Sequence, residues 1–369
     1  MPRGQGGSAT MTSKQRVLAA LDHQQPDRVP VDFGAHPQVL ADLRRYLGLG
    51  EDASFHALLG VDLAGVGPGI KRQASPICYA DPTREVTEDG LFIDLWGVGF
   101  RRAQTPTGEY IDIAYHPLAG PRELSDIEAH TYMDPDDWDY SRIGETAVSL
   151  SPCAVGVHCR GTFEISWFIR GMDDFMLDLA LEPKQACALL DRVQEPLLER
   201  LRRILEAGGD AVDIAEYNDD VGVQSGLMLS PEMWRRYLKP RIGEMFALIR
   251  SFGRRVRYHS CGGVRDILPD LIDLGLDILN PVQPLARGME PLALKRDFGR
   301  HITLHGGIDM QALLPHASAP RVREETRRLL DTLNDGGGWI ACASHNLQPD
   351  TPPENIVAMY ETLLGRDIA

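Results

Sequence analysis

Long hydrophobic runs are missing: no stretch approaches the roughly 20 consecutive apolar residues that a membrane-spanning helix requires. Positive charge is in deficit. Lys and Arg number 38 against 53 Asp and Glu, and the resulting net charge of −15 argues against nucleic acid or an anionic membrane as the principal partner. Cysteines are few, and Cys78, Cys153, Cys159, Cys187, Cys261 and Cys342 show no paired spacing. Free thiols and a cytoplasmic setting are therefore the expectation. Two glycine motifs are also absent, the dinucleotide fingerprint after an early strand and the phosphate-binding Gly-x-x-x-x-Gly-Lys. The first residues are polar and glycine-rich without the apolar centre of a signal peptide, so residues 1–11 read as a disordered tail.

What is present is a chain with 43% hydrophobic and 25% charged residues, enough apolar material for a sizeable core within 369 residues. Strand-like segments near residues 30, 63, 155, 213, 257, 279, 303 and 341 alternate with amphipathic helical stretches, of which 183–207 is the longest. Strict alternation implies a parallel sheet with helical crossovers. About eight strands fit a closed (β/α)8 barrel, whereas an open doubly wound sheet more often has five or six. A capped helix beginning at Thr12 or Ser13 precedes the barrel. The region 78–118 departs from the alternation, with strand patterns at 85–100 and 110–115 and turns at Asp89-Gly90 and Thr107-Gly108. It reads as a small antiparallel insertion over one mouth. No break in composition marks a linker, so residues 12–369 read as one domain.

The most informative stretch is Arg255-Val-Arg-Tyr-His-Ser-Cys-Gly-Gly263. Residues i and i+2 of an extended chain face the same side, so His259 and Cys261 leave the strand end together. Barrel active sites lie where strands end. A strand finishing in a packed histidine and a buried cysteine would also give this pattern, and context has to decide. The other strand ends supply Glu164, then Glu216, Asp219 and Asp220, then Asn280 and Gln283, His305 and Asp309, and finally Cys342 and His345. Any one acid or amide there could simply cap the next helix; convergence of the whole set by chance is far less expected. His259, Cys261 and His345 form a possible N/S/N zinc set with a fourth position open to substrate or a carboxylate. Cys342 is the alternative thiol.

These motifs resemble the uroporphyrinogen decarboxylase superfamily, which includes decarboxylases and cobalamin-dependent methyltransferases. The resemblance runs through Asp27-Arg-Val-Pro-Val31, Asp94-Leu-Trp-Gly97, Phe163-Glu-Ile-Ser-Trp167, Asp219-Asp-Val-Gly-Val-Gln224, His259-Ser-Cys-Gly262, Asn280-Pro-Val-Gln283, Gly306-Gly-Ile-Asp309 and Ser344-His-Asn-Leu-Gln348. It implies a (β/α)8 barrel, often dimeric. It departs from the true decarboxylases at Val31-Asp-Phe-Gly-Ala-His-Pro37, where their arginine-rich carboxylate-binding segment would stand. The zinc methyltransferases of the superfamily carry His-x-Cys and a later cysteine; His259 and Cys261 match the first part, and His345 falls at the place of the second. The expectation is methyl transfer or O-demethylation of a small-molecule methyl donor or acceptor. Zinc would be held by His259, Cys261 and His345, and cobalamin carried by a separate corrinoid protein. Glu164, Asp220, Asn280 and Gln283 are the candidate catalytic residues. A cofactor-independent decarboxylase, with Asp220 stabilising a protonated pyrrole-like intermediate, and a non-catalytic binder are the rival expectations.

Overall fold

The computed structural model describes residues 11–71, 90–105 and 108–368. Residues 1–10 of the expected tail, Cys78, the 85–89 portion of the first insertion strand, Asp89 and Thr107 lie outside them, whereas Met11, the last residue of that tail, is held by its N donating to Asp27 Oδ2 at 3.1 Å. Seven parallel strands follow one another around a curled sheet in chain order: β1 (Leu63–Gly65), β2 (Ala154–Arg160), β3 (Ile214–Asn218), β4 (Arg255–His259), β5 (Ile278–Val282), β6 (Thr303–Ile308) and β7 (Trp339–Ala343). The eighth position is filled by the chain around Val31, which is a single parallel bridge rather than the full strand 29–33 that the apolar pattern suggests.

That short segment closes the barrel from both sides. Asp32 N donates to Ala341 O at 3.1 Å on β7, and Asp62 N, just before β1, donates to Val31 O at 2.9 Å. Asp62 is fully buried and explains why so brief a contact holds. Its carboxylate accepts from Val31 N at 2.9 Å and pairs with Arg16 at 2.6 Å and Arg28 at 2.7 Å. The Asp27-Arg28 motif therefore serves closure rather than chemistry.

Period-2 alternation in the strands sorts the residues into two sets. Outward-facing Val155, Val157, Cys159, Ala215, Tyr217, Val256 and Tyr258 are buried beneath the helices. Inward-facing residues change character along the barrel axis. At the floor, Leu63, Ala154, Ile214, Ile278 and Ile340 cluster with Val17 and Leu21 of the helix Ser13–Leu21, which plugs that end. One step higher, His158, Glu216 and Arg257 are register partners across β2, β3 and β4. At the strand ends Arg160, Asn218, His259 and Asn280 share the next row. An apolar floor beneath polar rows leaves one end fit for a reaction centre.

The expected antiparallel insertion is present as Phe92–Ile93, Gly99–Thr105 and Gly108–Tyr115. Its first turn is fixed by Asp94 Oδ1, which accepts from Trp96 N and Val98 N, each at 2.9 Å. Asp94, Leu95 and Trp96 thereby become part of the wall over the strand ends.

Candidate metal centre

His259 ends β4 and Cys261 follows two residues later; His345 follows β7. One donor atom from each of the three lies within 4.8 Å of the others. Cys261 Sγ is 3.8 Å from His259 Nε2. A tetrahedral zinc with bonds of about 2.3 Å to sulfur and 2.0–2.1 Å to nitrogen spaces such ligands by about 3.6 Å. The donor set and its spacing fit that ion.

The surroundings favour ligand forms of these side chains. Asn280 Oδ1 lies 2.6 Å from His259 Nδ1, so Nδ1–H donates to it and the Nε2 lone pair faces Cys261. Gln283 Oε1 accepts from Gly262 N at 2.7 Å, and its Nε2 donates to Cys261 Sγ at 3.7 Å. Cys261 N donates to Asp220 Oδ1 at 2.7 Å, and that oxygen is 3.9 Å from His259 Nε2. Burial pushes the Cys261 thiol up to about 12, helped by the Asp220 and Glu164 carboxylates. Burial lowers His345, as does neighbouring His259, which keeps its imidazole neutral. A thiol so disfavoured as a free anion, beside the neutral His345 imidazole and the Nε2 lone pair of His259, is a site that a cation would complete.

Gly262 turns the chain away from the sulfur at φ +80°, and a Cβ there would lie 2.5 Å from Gly222 C and from Val223 N. Only glycine allows both the left-handed turn and this approach. In the helix Thr162–Arg170 the cap is supplied from a distance. Its N-cap Gly161 has no side chain, and buried Asp219 accepts from Glu164 N at 2.8 Å, Phe163 N at 3.2 Å and Tyr217 Oη at 2.9 Å. Asp219 is thus structural, and its neighbour Asp220 faces the site.

His259 and His345 open onto a cavity of about 570 Å³, lined also by Asp220 and Glu164 and roofed by Asp94, Leu95 and Trp96. Glu164 Oε2 is 3.0 Å from Arg160, while burial raises the pKa of Glu164 and so favours its neutral form. Asp309 caps its own following turn through Gln311 N, Ala312 N and Leu313 N. Cys342 lies lower, in a second cavity of about 270 Å³ with Asp32 and His305, and is not among the gathered donors. His305 Nε2 is 3.1 Å from Asp32 Oδ2. Sequence reasoning missed His158, Arg160, Asn218 and Arg257, although His158-x-Arg160 and Arg257-x-His259 carry the alternation that would have found them.

The uroporphyrinogen decarboxylase (URO-D) family model matches residues 148–364, more than half of the chain and every strand from β2 onward. The chain belongs to the uroporphyrinogen decarboxylase family. Within it, similarity reaches members of two kinds. A uroporphyrinogen decarboxylase of Thermus thermophilus is 29% identical over 180 residues, 47% of each chain. A methylcobamide:CoM methyltransferase of Methanosarcina barkeri is 27% identical over 170 residues, 46% of each. The aligned part thus spans about half the length of these relatives. A solved methyltransferase from Methanosarcina mazei superposes with a TM-score of 0.64 at 19% identity, covering 96% of this chain and 99% of that one. At that identity the likeness establishes the (β/α)8 fold. Among the described residues no helix is long and apolar enough to cross a membrane.

Proposed function

We propose that this URO-D family protein is a metal-dependent methyltransferase or demethylase component that exchanges a methyl group with a separate corrinoid protein. The observation carrying the reading is the convergence of His259, Cys261 and His345 at the open end of the barrel, with Asn280 and Gln283 behind the first two. These three side chains would hold Zn²⁺. When bound, the ion supplies Lewis-acid chemistry, keeping a thiolate nucleophilic near neutral pH or polarising a methoxy oxygen.

The chain's own groups divide the remaining work. Asn280 fixes the His259 tautomer, and Gln283 Nε2–H stabilises negative charge on Cys261 Sγ. Glu164, pushed toward its neutral form, can hold a proton at a carboxyl oxygen facing the cavity, with Arg160 beside it to stabilise the anion after release. Asp220 holds the backbone that carries Cys261 and borders the same space. Apolar Leu95, Trp96, Met133 and Ile165 exclude water from the reacting groups. The corrinoid protein would dock over the cavity mouth, and the barrel would work as a homodimer.

Purified protein should contain one zinc per chain and should demethylate or remethylate cobalamin in the presence of a small thiol or methoxy compound; His259→Ala should lose both properties. Absence of stoichiometric zinc together with unchanged methyl transfer by His259→Ala would overturn the reading. The similarity to uroporphyrinogen decarboxylases supports a second one, decarboxylation without a cofactor, in which Asp220 stabilises a cationic intermediate. Activity that survives chelators and needs no cobalamin would favour it.

A further inference from the structure

The cavity beside the metal donors is bordered by a cation that neither reading uses. Arg200 projects from the helix Pro183–Gly208, is only 8% exposed, and lines the same 570 Å³ space as His259 and His345. Its guanidinium lies over the Trp138 ring, 4.1 Å from the centroid. Its Nε is buried without a hydrogen-bond partner, the side-chain partner of the guanidinium is the Cys159 thiol, which burial pushes up to about 11 and so keeps uncharged, and among the described residues no carboxylate pairs with it. The two arginines on the inward faces of the strands are neutralised: Arg160 pairs with Glu164 at 3.0 Å, and Arg257 pairs with Glu216 at 2.5 Å. Nearby His158 adds no charge at neutral pH, because burial drives its imidazole down to about 4.

An uncompensated buried guanidinium is costly unless something pairs with it. In a protein of net charge −15, with surface acids in excess, leaving one cation unpaired inside a cavity points to a ligand that brings the anion. The rest of the wall states what else that ligand carries. Trp96, Met133, Trp138, Ile165 and Leu197 make it largely apolar, and about 570 Å³ holds a molecule of modest size.

We propose that Arg200 anchors an oxyanion, a carboxylate or sulfonate, borne by a compact apolar substrate whose other end faces His259, Cys261 and His345. The orientation rests on the metal reading above; the preference for an anion does not. A guanidinium accepts either oxyanion through paired N–H donors, and the stacked Trp138 ring keeps that fork in place.

Calorimetric titration with benzoate, benzenesulfonate and uncharged benzamide tests this, on the zinc-loaded protein and again after chelator treatment, so that carboxylate binding to the ion is separated from binding at Arg200. At least one anion should bind ten-fold or more tighter than benzamide in both forms. Arg200→Met should remove about 10- to 100-fold of the anion affinity and leave benzamide unchanged, and Arg200→Lys should restore part of it. Equal affinities for benzoate, benzenesulfonate and benzamide, no anion binding at millimolar concentration, or a preference that disappears on chelation would each overturn the proposal. The wild-type comparison decides even if Arg200→Met does not fold. Anion preference in a protein without stoichiometric zinc would sink the metal reading alone; stoichiometric zinc without anion preference would sink only the role of Arg200.

Discussion

Replacing Asn280 by alanine isolates the support for one ligand without touching any ligand. Asn280 Oδ1 accepts from His259 Nδ1 at 2.6 Å, in a part-buried setting. Without it the Nδ1–H is left without a partner, or the imidazole shifts its proton to Nε2 and loses the lone pair that a metal needs. Leaving a buried donor unsatisfied costs about 1–3 kcal/mol. At about 1.4 kcal/mol per factor of ten, that is a loss of roughly 5- to 150-fold in affinity, in line with the 10–100-fold typical of outer-shell partners of metal-bound histidines. Asn280→Asp keeps an acceptor and makes the bond charge-assisted, so it should match or exceed the wild type. Competition for zinc with a chelating dye at fixed pH measures the difference, and urea unfolding of the metal-free proteins checks that the fold is intact. Zinc affinity of Asn280→Ala within twofold of wild type, or equal weakening by Ala and Asp, would refute the reasoning.

Two further outcomes concern stability. Asp62→Ala leaves the buried Arg16 and half-buried Arg28 without their shared carboxylate and frees Val31 N, so unfolding free energy should fall by about 3–5 kcal/mol in urea titration; a loss below 1 kcal/mol would contradict the account of barrel closure. Burial raises Asp94 to about 6, against backbone hydrogen bonds from Val98 and Trp96 that lower it. A carboxyl whose folded value is raised stabilises the fold below its unfolded value near 3.8 and loses that contribution as pH rises through about 6. Asp94→Asn, which keeps an acceptor for both N–H groups, should therefore gain up to about 3 kcal/mol relative to wild type at pH 8 and little at pH 4. A gain that does not grow between those pH values would count against it.

Much of this architecture was legible because helix and strand periods differ and strand ends carry polar residues. The eight strand positions, the plug helix and the insertion follow from those patterns. The eighth strand was overread: an apolar run at 29–33 gives one bridge, because Asp62 with Arg16 and Arg28 does the holding that ladder bonds do elsewhere. His259 and Cys261 were recognisable from their i, i+2 spacing, whereas the approach of His345 needs closure of the ring and cannot be seen in local sequence. The strand-end positions of Asn280 and Gln283 make them catalytic candidates, and their atoms meet the ring nitrogen of His259 and the sulfur of Cys261. Arg200 gave no signal, since arginines on a long amphipathic helix usually face water, and only the packing of that helix against the Trp138 segment turns this one inward.

The central claim is that one imidazole from β4, a thiolate two residues later and an imidazole after β7 bind a single zinc ion. Zinc-edge X-ray absorption on the metal-loaded protein measures this directly. One sulfur at about 2.3 Å and two nitrogens at about 2.0–2.1 Å are predicted, with the sulfur lost in Cys261→Ala. A shell of oxygen and nitrogen only, or a sulfur signal that survives Cys261→Ala, would contradict it.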